Sequence, residues 1–111
     1  MKPFLLQLLN RYAERLAELD FLLSREDIMA DMAQFMKLSR EHADVAAVAQ
    51  RYARYQQRLN DLQAAREMQS ELPETDDMHA LAGEEITQAQ QDITALEAEL
   101  QRMLLPKDPQ D

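Results

Sequence analysis

The sequence predicts an all-α fold: an elongated, antiparallel three-helix domain dominated by a long coiled-coil-like helical hairpin. Three observations predict it. The 39 residues from Gln34 to Leu72 contain neither Gly nor Pro, the two residues that most disfavour a helix interior. Within them Leu38, Val45, Tyr52 and Leu59 recur every seven positions, and Val48, Tyr55 and Leu62 repeat the period offset by three. Apolar steps alternating three and four place these side chains on one stripe of a helix. Third, Ala82, Ala89, Leu96 and Met103, interleaved with Ile86, Ile93 and Leu100, carry the same period beyond the break at Pro73. Two long helices joined by so short a link become antiparallel neighbours, and their stripes meet with knobs-into-holes packing. The first of the pair spans roughly 55–60 Å if fully helical.

Composition narrows the classes of function. A chain of 111 residues is one domain in size, and a single Gly beside abundant Ala, Leu, Glu, Gln and Arg is a helical composition. The absence of Cys excludes disulfides, thiolate metal sites and cysteine nucleophiles. No apolar run reaches the length of a membrane span. The start, Met1-Lys2-Pro3-Phe4-Leu5-Leu6-Gln7-Leu8-Leu9, begins like a signal peptide. Polar Gln7 breaks it, however, and Asn10, Arg11, Glu14 and Arg15 follow without a small-residue cleavage site. It reads as a mature helix of a cytoplasmic protein. The net charge of −9 is uneven: residues 1–33 carry −2, residues 34–72 carry +1 and residues 73–111 carry −8. Phosphate neutralisation drives nucleic-acid binding, so the chain as a whole is a poor autonomous nucleic-acid binder.

The expected helices cover about 3–23, 32–72 and 76–105, within a domain 1–105 followed by a Pro-rich linker, 106–111. Pro3 suits the first helical position, where its missing N–H costs nothing. Leu5, Leu9, Tyr12, Leu16, Leu19 and Leu23 then keep a bundle rhythm, while Phe4, Leu6, Leu8, Phe21 and Leu22 widen the apolar face toward further neighbours or a second copy. Residues 24–31 form a corner. Ser24 is placed to cap a short turn, and Asp31 to cap the long helix with Gln34 three residues on. Thr75 or Asp76 can cap the third helix, and Gly83 weakens its start by about 1 kcal/mol relative to Ala. Pro106 ends it, because the residue before a proline avoids helical geometry.

Candidates for chemistry are few. Glu41-His42 and Asp76-Asp77-Met78-His79 put carboxylates beside the two histidines. A di-iron bundle needs Glu-x-x-His twice plus two further inward Glu, and the chain has neither motif. One Gly cannot build a phosphate loop, and Ser24, Ser39 and Ser70 stand in polar or capping contexts rather than in a Ser-His-Asp set. Neither cofactor nor catalysis is expected. Two groups remain as partner contacts. Arg51, Arg54 and Arg58 form a basic stripe at i, i+3 and i+7. They are either a solvated flank whose charges complement the acidic third helix or a contact for RNA phosphate or an acidic protein, and the first reading carries more weight. Met29, Met32 and Met36 lie at helical spacing at the corner. Filling an irregular core is their main reading, and an adaptable partner patch built on Met29 and Met32 is the alternative.

Two segments carry a family resemblance. Phe35-Met36-Lys37-Leu38-Ser39-Arg40-Glu41-His42-Ala43 and Leu104-Leu105-Pro106-Lys107-Asp108-Pro109-Gln110-Asp111 resemble the N-terminal helical domain of the bacterial peptide chain release factor 1 family, the class-I factors that read UAA and UAG. Ala82, Glu85 and Ile86 also fit that family's third helix. The resemblance implies a translation termination factor entering the ribosome, with this domain toward the stalk base near protein L11 and its rRNA, and in interplay with the class-II GTPase release factor. Stop-codon reading through a Pro-x-Thr-type tripeptide, and peptidyl-tRNA hydrolysis through a Gly-Gly-Gln loop, belong by the same resemblance to other domains. No Gly-Gly-Gln occurs in these 111 residues, and the Pro73-Glu74-Thr75 stretch stands at the break between two helices, so the chain is expected to be a piece whose core lies beyond the linker. From composition alone, a free-standing helical adaptor or coiled-coil chaperone is the competing reading.

Overall fold

A computed structural model of the chain describes residues 1–104; the expected linker, with Leu105 before it, lies outside the described residues. The fold is all-α. Helix α1 spans Pro3–Leu23, a single 3-10 turn covers Ile28–Ala30, and α2 spans Met32–Glu71 and α3 Asp77–Leu104. The chain divides into two compact units, Met1–Arg51 and Tyr52–Asp111, with the boundary inside α2.

In the first unit α1 packs against the N-terminal part of α2. Pro3 takes the first helical position after Lys2, whose extended backbone starts the helix. Leu19, Leu38 and Val45 form a buried cluster on which Tyr12, Leu16, Leu22, Leu23 and Ile28 pack. Leu5 and Leu9 are buried as well, as the apolar rhythm of α1 requires. At the corner, Asp31 caps α2 by accepting a hydrogen bond from the Gln34 amide at 3.1 Å. Ser24 acts backwards rather than forwards. Its hydroxyl donates to the carbonyl of Phe21 at 2.7 Å and closes α1, whose last carbonyls otherwise lack partners. The 3-10 turn has no side-chain cap.

The corner methionines do not fill a core. Met29, Met32 and Met36 are all exposed. Ile28, from the same turn, packs on the buried cluster instead. For Met29 the reason is that a short turn presents one side inward and Ile28 takes it; Met32 and Met36 lie on α2, on a face turned away from buried Leu38.

In the second unit α2 and α3 run antiparallel. As α2 positions rise, their α3 partners fall: the Tyr55 hydroxyl donates to Glu97, Arg58 meets Glu85 and Asp92, and Gln69 donates to the carbonyl of His79. The link is tight, with the Asp76 amide bonded to the carbonyl of Pro73 at 3.0 Å and the Asp76 carboxylate accepting from the Met78 amide at 2.8 Å. Ala82 and Ala89 are fully buried, Leu100 nearly so, and Tyr52 and Tyr55 stack on the α2 side. The α2 side of the seam departs from a strict seven-residue repeat after Tyr55. Leu59 is 40% exposed, while Arg58 and Ala65 are buried. A straight helix drifts by about 20° per heptad, and after Tyr55 the inward position falls on Arg58. Met103, at the far end of the α3 stripe, is also exposed.

Gly83 lies in this unit, where a Cβ would stand 3.0 Å from Nε2 of Gln69. That atom is the end of a flexible, half-buried side chain whose bond to His79 is long at 3.4 Å. Gly83→Ala is therefore expected to stabilise the fold. The helix gains up to about 1 kcal/mol and loses one weak hydrogen bond. Thermal melting should show a rise of a few degrees, on the order of 4 °C per kcal/mol for a chain of this size. A fall in melting temperature that Gln69→Ala reverses would show instead that the Gln69 side chain cannot move aside.

Candidate functional site

Chemistry needs convergent polar groups, and the described residues converge them in two places, one in each unit. In the first, Arg15 on α1 grips Glu41 on α2 with both arms of its fork: Nε to Oε2 at 2.6 Å and Nη2 to Oε1 at 2.7 Å. Its remaining Nη1 reaches Glu18 at 2.9 Å. One residue on, His42 lies 2.7 Å from Asp20. The segment Leu38-Ser39-Arg40-Glu41-His42-Ala43 thus places Leu38 in the core and both Glu41 and His42 against α1. Its distinctive residues hold a helix pair together. A recess of about 260 Å³ beside them is lined by Leu8, Arg11, Tyr12, Arg15, Glu41 and Val45.

The second cluster centres on Arg58, which is only 8% exposed. Its Nη1 donates to Asp61 on its own helix and to Glu85 on α3, each at 2.8 Å. Its Nε stands 3.0 Å from Asp92, a charge contact that lacks hydrogen-bond alignment. Burial works against the guanidinium's charge, and the bonds to Asp61 and Glu85 outweigh it, so its affinity for the proton is raised. An ion in water loses several kcal/mol of solvation on burial. Three carboxylates explain how a cation occupies an otherwise apolar seam.

The five residues singled out in the sequence are thus differently placed. Met29 and Met32 are exposed at the corner of the first unit. Arg51 is half-buried and donates to the carbonyl of Ala47 at 2.8 Å. Arg54 is exposed and lines a recess of about 230 Å³ with Asp92, Ala95, Leu96 and Glu99. Arg58 faces inward to the carboxylates. Sequence reasoning missed its burial, although a signal existed: Asp61 at i+3 and an acidic third helix supply what a buried arginine needs. No group of three His, Cys, Asp or Glu side chains able to hold a metal ion occurs among the described residues. None of their helices is long and apolar enough to cross a membrane.

Both clusters give the fold an acid sensitivity of definite sign. Glu41 is held below the usual carboxylate range first by its hydrogen bond from Arg15, against a smaller effect of burial. Asp61 is held low by hydrogen bonds from Gln57 and then Arg58. Both folded-state values lie below the unfolded value of about 4. Their stabilisation is therefore complete above that value and is lost as pH falls through the folded value. Urea titrations between about pH 6 and about pH 2 should show stability declining over this acid range. Glu41→Gln should be less stable than the parent near neutrality and converge with it in acid. Equal losses at every pH would sink this assignment.

Comparison with known proteins agrees with the family resemblance of the sequence. A family model described as the PCRF domain matches residues 12–111. The chain is 63% identical over its whole length to peptide chain release factor 1 of Acidovorax sp. (strain JS42), of which it covers 29%, at the N-terminal region. It is 60% identical to the factor of Albidiferax ferrireducens and 49% identical to that of Methylibium petroleiphilum, covering all of this chain and 30% of each relative. No solved structure matches. The chain spans about three-tenths of the length of these relatives. With the family model matched along nearly all of its three helices, the chain belongs to the PCRF domain family.

Proposed function

We propose that this chain is the N-terminal helical domain of a cytoplasmic translation termination factor and serves as its docking arm on the ribosome. The domain comprises residues 1–105, and 106–111 links it to the core. It sits toward the stalk base, against protein L11 and its rRNA, and bears on the interplay with the class-II GTPase release factor. Stop-codon reading and peptidyl-tRNA hydrolysis lie in the remainder of the factor, and this portion carries no catalytic group of its own. The observation that carries the reading is the 63% identity to a release factor along all 111 residues. Support from the surface is consistent with contact rather than chemistry: Met29, Met32 and Arg54 are exposed. We assign partner contact to these three and to Arg51. Arg58 belongs to the same arginine series and braces it from within.

The test is a graft. This chain replaces the matching N-terminal region of the Acidovorax release factor in cells depleted of their own factor. Growth and stop-codon-dependent peptide release are expected from the graft, and no release from the 111-residue chain alone. Failure of a well-expressed graft, or release by the isolated chain, would falsify the proposal. Within the graft, Arg54→Ala and Met32→Ala should weaken binding to an L11–rRNA complex with little change in melting, since exposed side chains contribute about 0–1 kcal/mol to stability.

A further inference from the structure

A recess of about 240 Å³ opens between α2 and α3 in the second unit, lined by Asp61, Ala64, Ala65, Met68 and Glu85. Its chemistry is two-sided. Ala64 and Ala65 give a small-residue floor, and Met68 is an exposed apolar wall. Leu81, one turn before Glu85 on the same face of α3, is more than half exposed, and Met78 precedes it by three residues, exposed too. Three large apolar side chains thus stand in water along one flank of a helix pair whose own seam is already packed. At the other end lie carboxylates in excess: Asp61, Glu85 and Asp92 share the single guanidinium of Arg58. Only Oε1 of Glu85 takes a bond from Arg58. Its Oε2 meets no donor among the described residues, and the side chain is 45% exposed.

We infer that this groove is a docking site for a protein segment that presents one aliphatic side chain with a Lys or Arg about one helical turn away. The volume decides against a small-molecule ligand, whose sites run from about 300 to 1,000 Å³. The charge decides against nucleic acid, because net negative carboxylates repel phosphate. An apolar wall beside an unfilled carboxylate oxygen fits a basic amphipathic segment, with the aliphatic group over Ala65 between Met68 and Leu81, and the cation on Glu85. The inference concerns a different surface from the contacts assigned above and does not depend on the termination reading.

The test uses the full chain labelled at its methionine methyls, which places reporters in the groove (Met68), beside it on the same flank (Met78) and at the corner (Met29, Met32, Met36). The probes are a helical Leu/Lys peptide, its Leu/Glu counterpart, and a short RNA duplex. The Leu/Lys peptide should shift Met68 and Met78 and leave the corner methyls unmoved. Met68 and Leu81 are exposed, so M68Q and L81Q should fold. Together they should weaken binding by about tenfold or more, as loss of an apolar anchor does. Glu85→Gln should weaken it by up to about fivefold and flatten its salt dependence; circular dichroism confirms that this variant is folded. The inference is overturned if the Leu/Lys peptide shifts no methyl, if it shifts the corner instead, or if the Leu/Glu peptide or the RNA shifts the groove equally. It is also overturned if sedimentation finds a dimer that Leu81→Gln dissociates, since the occupant is then a second copy. Termination by the graft described above is scored separately, so loss of one reading leaves the other standing.

Discussion

Leu19→Ala should be among the most damaging single substitutions in the chain, costing about 3 kcal/mol within the range of about 2–5 kcal/mol seen when a buried Leu is truncated. Leu19 is fully buried in a cluster with Leu38 and Val45, against which Tyr12, Leu16, Leu22, Leu23 and Ile28 pack. Truncation removes both the transfer free energy of the lost methyl groups and the contacts of every neighbour that cannot close over the gap. Helices pinned by Arg15 to Glu41 have little freedom to collapse inward. Against a total stability of about 5–15 kcal/mol for a small domain, the loss should lower the urea midpoint markedly without changing the slope. Phe21→Ala, two residues further on and exposed, is the control and should stay within about 0.5 kcal/mol of the parent. A Leu19→Ala variant that melts with the parent would show that this cluster is not what holds α1 on α2.

Arg58→Glu should rank with it. The substitution removes the cation that three carboxylates share and adds a fourth negative group where only 9% of the side chain meets water. Breaking a fully buried pair costs about 3–5 kcal/mol. Asp61, Glu85 and Asp92 remain roughly one-third to one-half exposed, so water relieves part of the repulsion and about 2–4 kcal/mol is expected. Arg58→Met keeps most of the stem's packing and should lose less, because the carboxylates can turn to solvent. Arg54→Met, at an exposed position, should barely change melting. The two arginines are thereby separable: a stability loss at Arg58 and a binding loss at Arg54. If Arg58→Glu melts like the parent, the ion cluster holds nothing together.

The family was legible in short segments, and the structure explains why one of them is distinctive. Leu38, Glu41 and His42 meet a core, a two-armed arginine and an aspartate within five residues. The second, Pro106-Lys107-Asp108-Pro109, lies outside the described residues. The candidate contact residues were less legible. Periodicity reports which side of a helix is apolar; it placed Met29, Met32 and Met36 by position alone and did not show that Arg58 is buried. An arginine is placed inward only by the acids that face it, and Met29 outward because Ile28 already fills the inner side of its turn.

The sequence by itself determined where the helices begin. Pro3 opens the first helix, the Asp31 carboxylate opens the second, and Pro73 with Asp76 turns the chain into the third. These are local matters of backbone geometry and capping, settled within a few residues. It also determined the apolar stripes to within one position. Only the tertiary structure decided between adjacent positions, turning Arg58 inward and Leu59 outward, and only it brought Asp61, Glu85, Ala64, Ala65 and Met68 to one groove. The physical reason is that a 3.6-residue helix set against a seven-residue repeat leaves the seam free to rotate by a fraction of a residue. Charges on the facing helix, distant in sequence, fix that rotation.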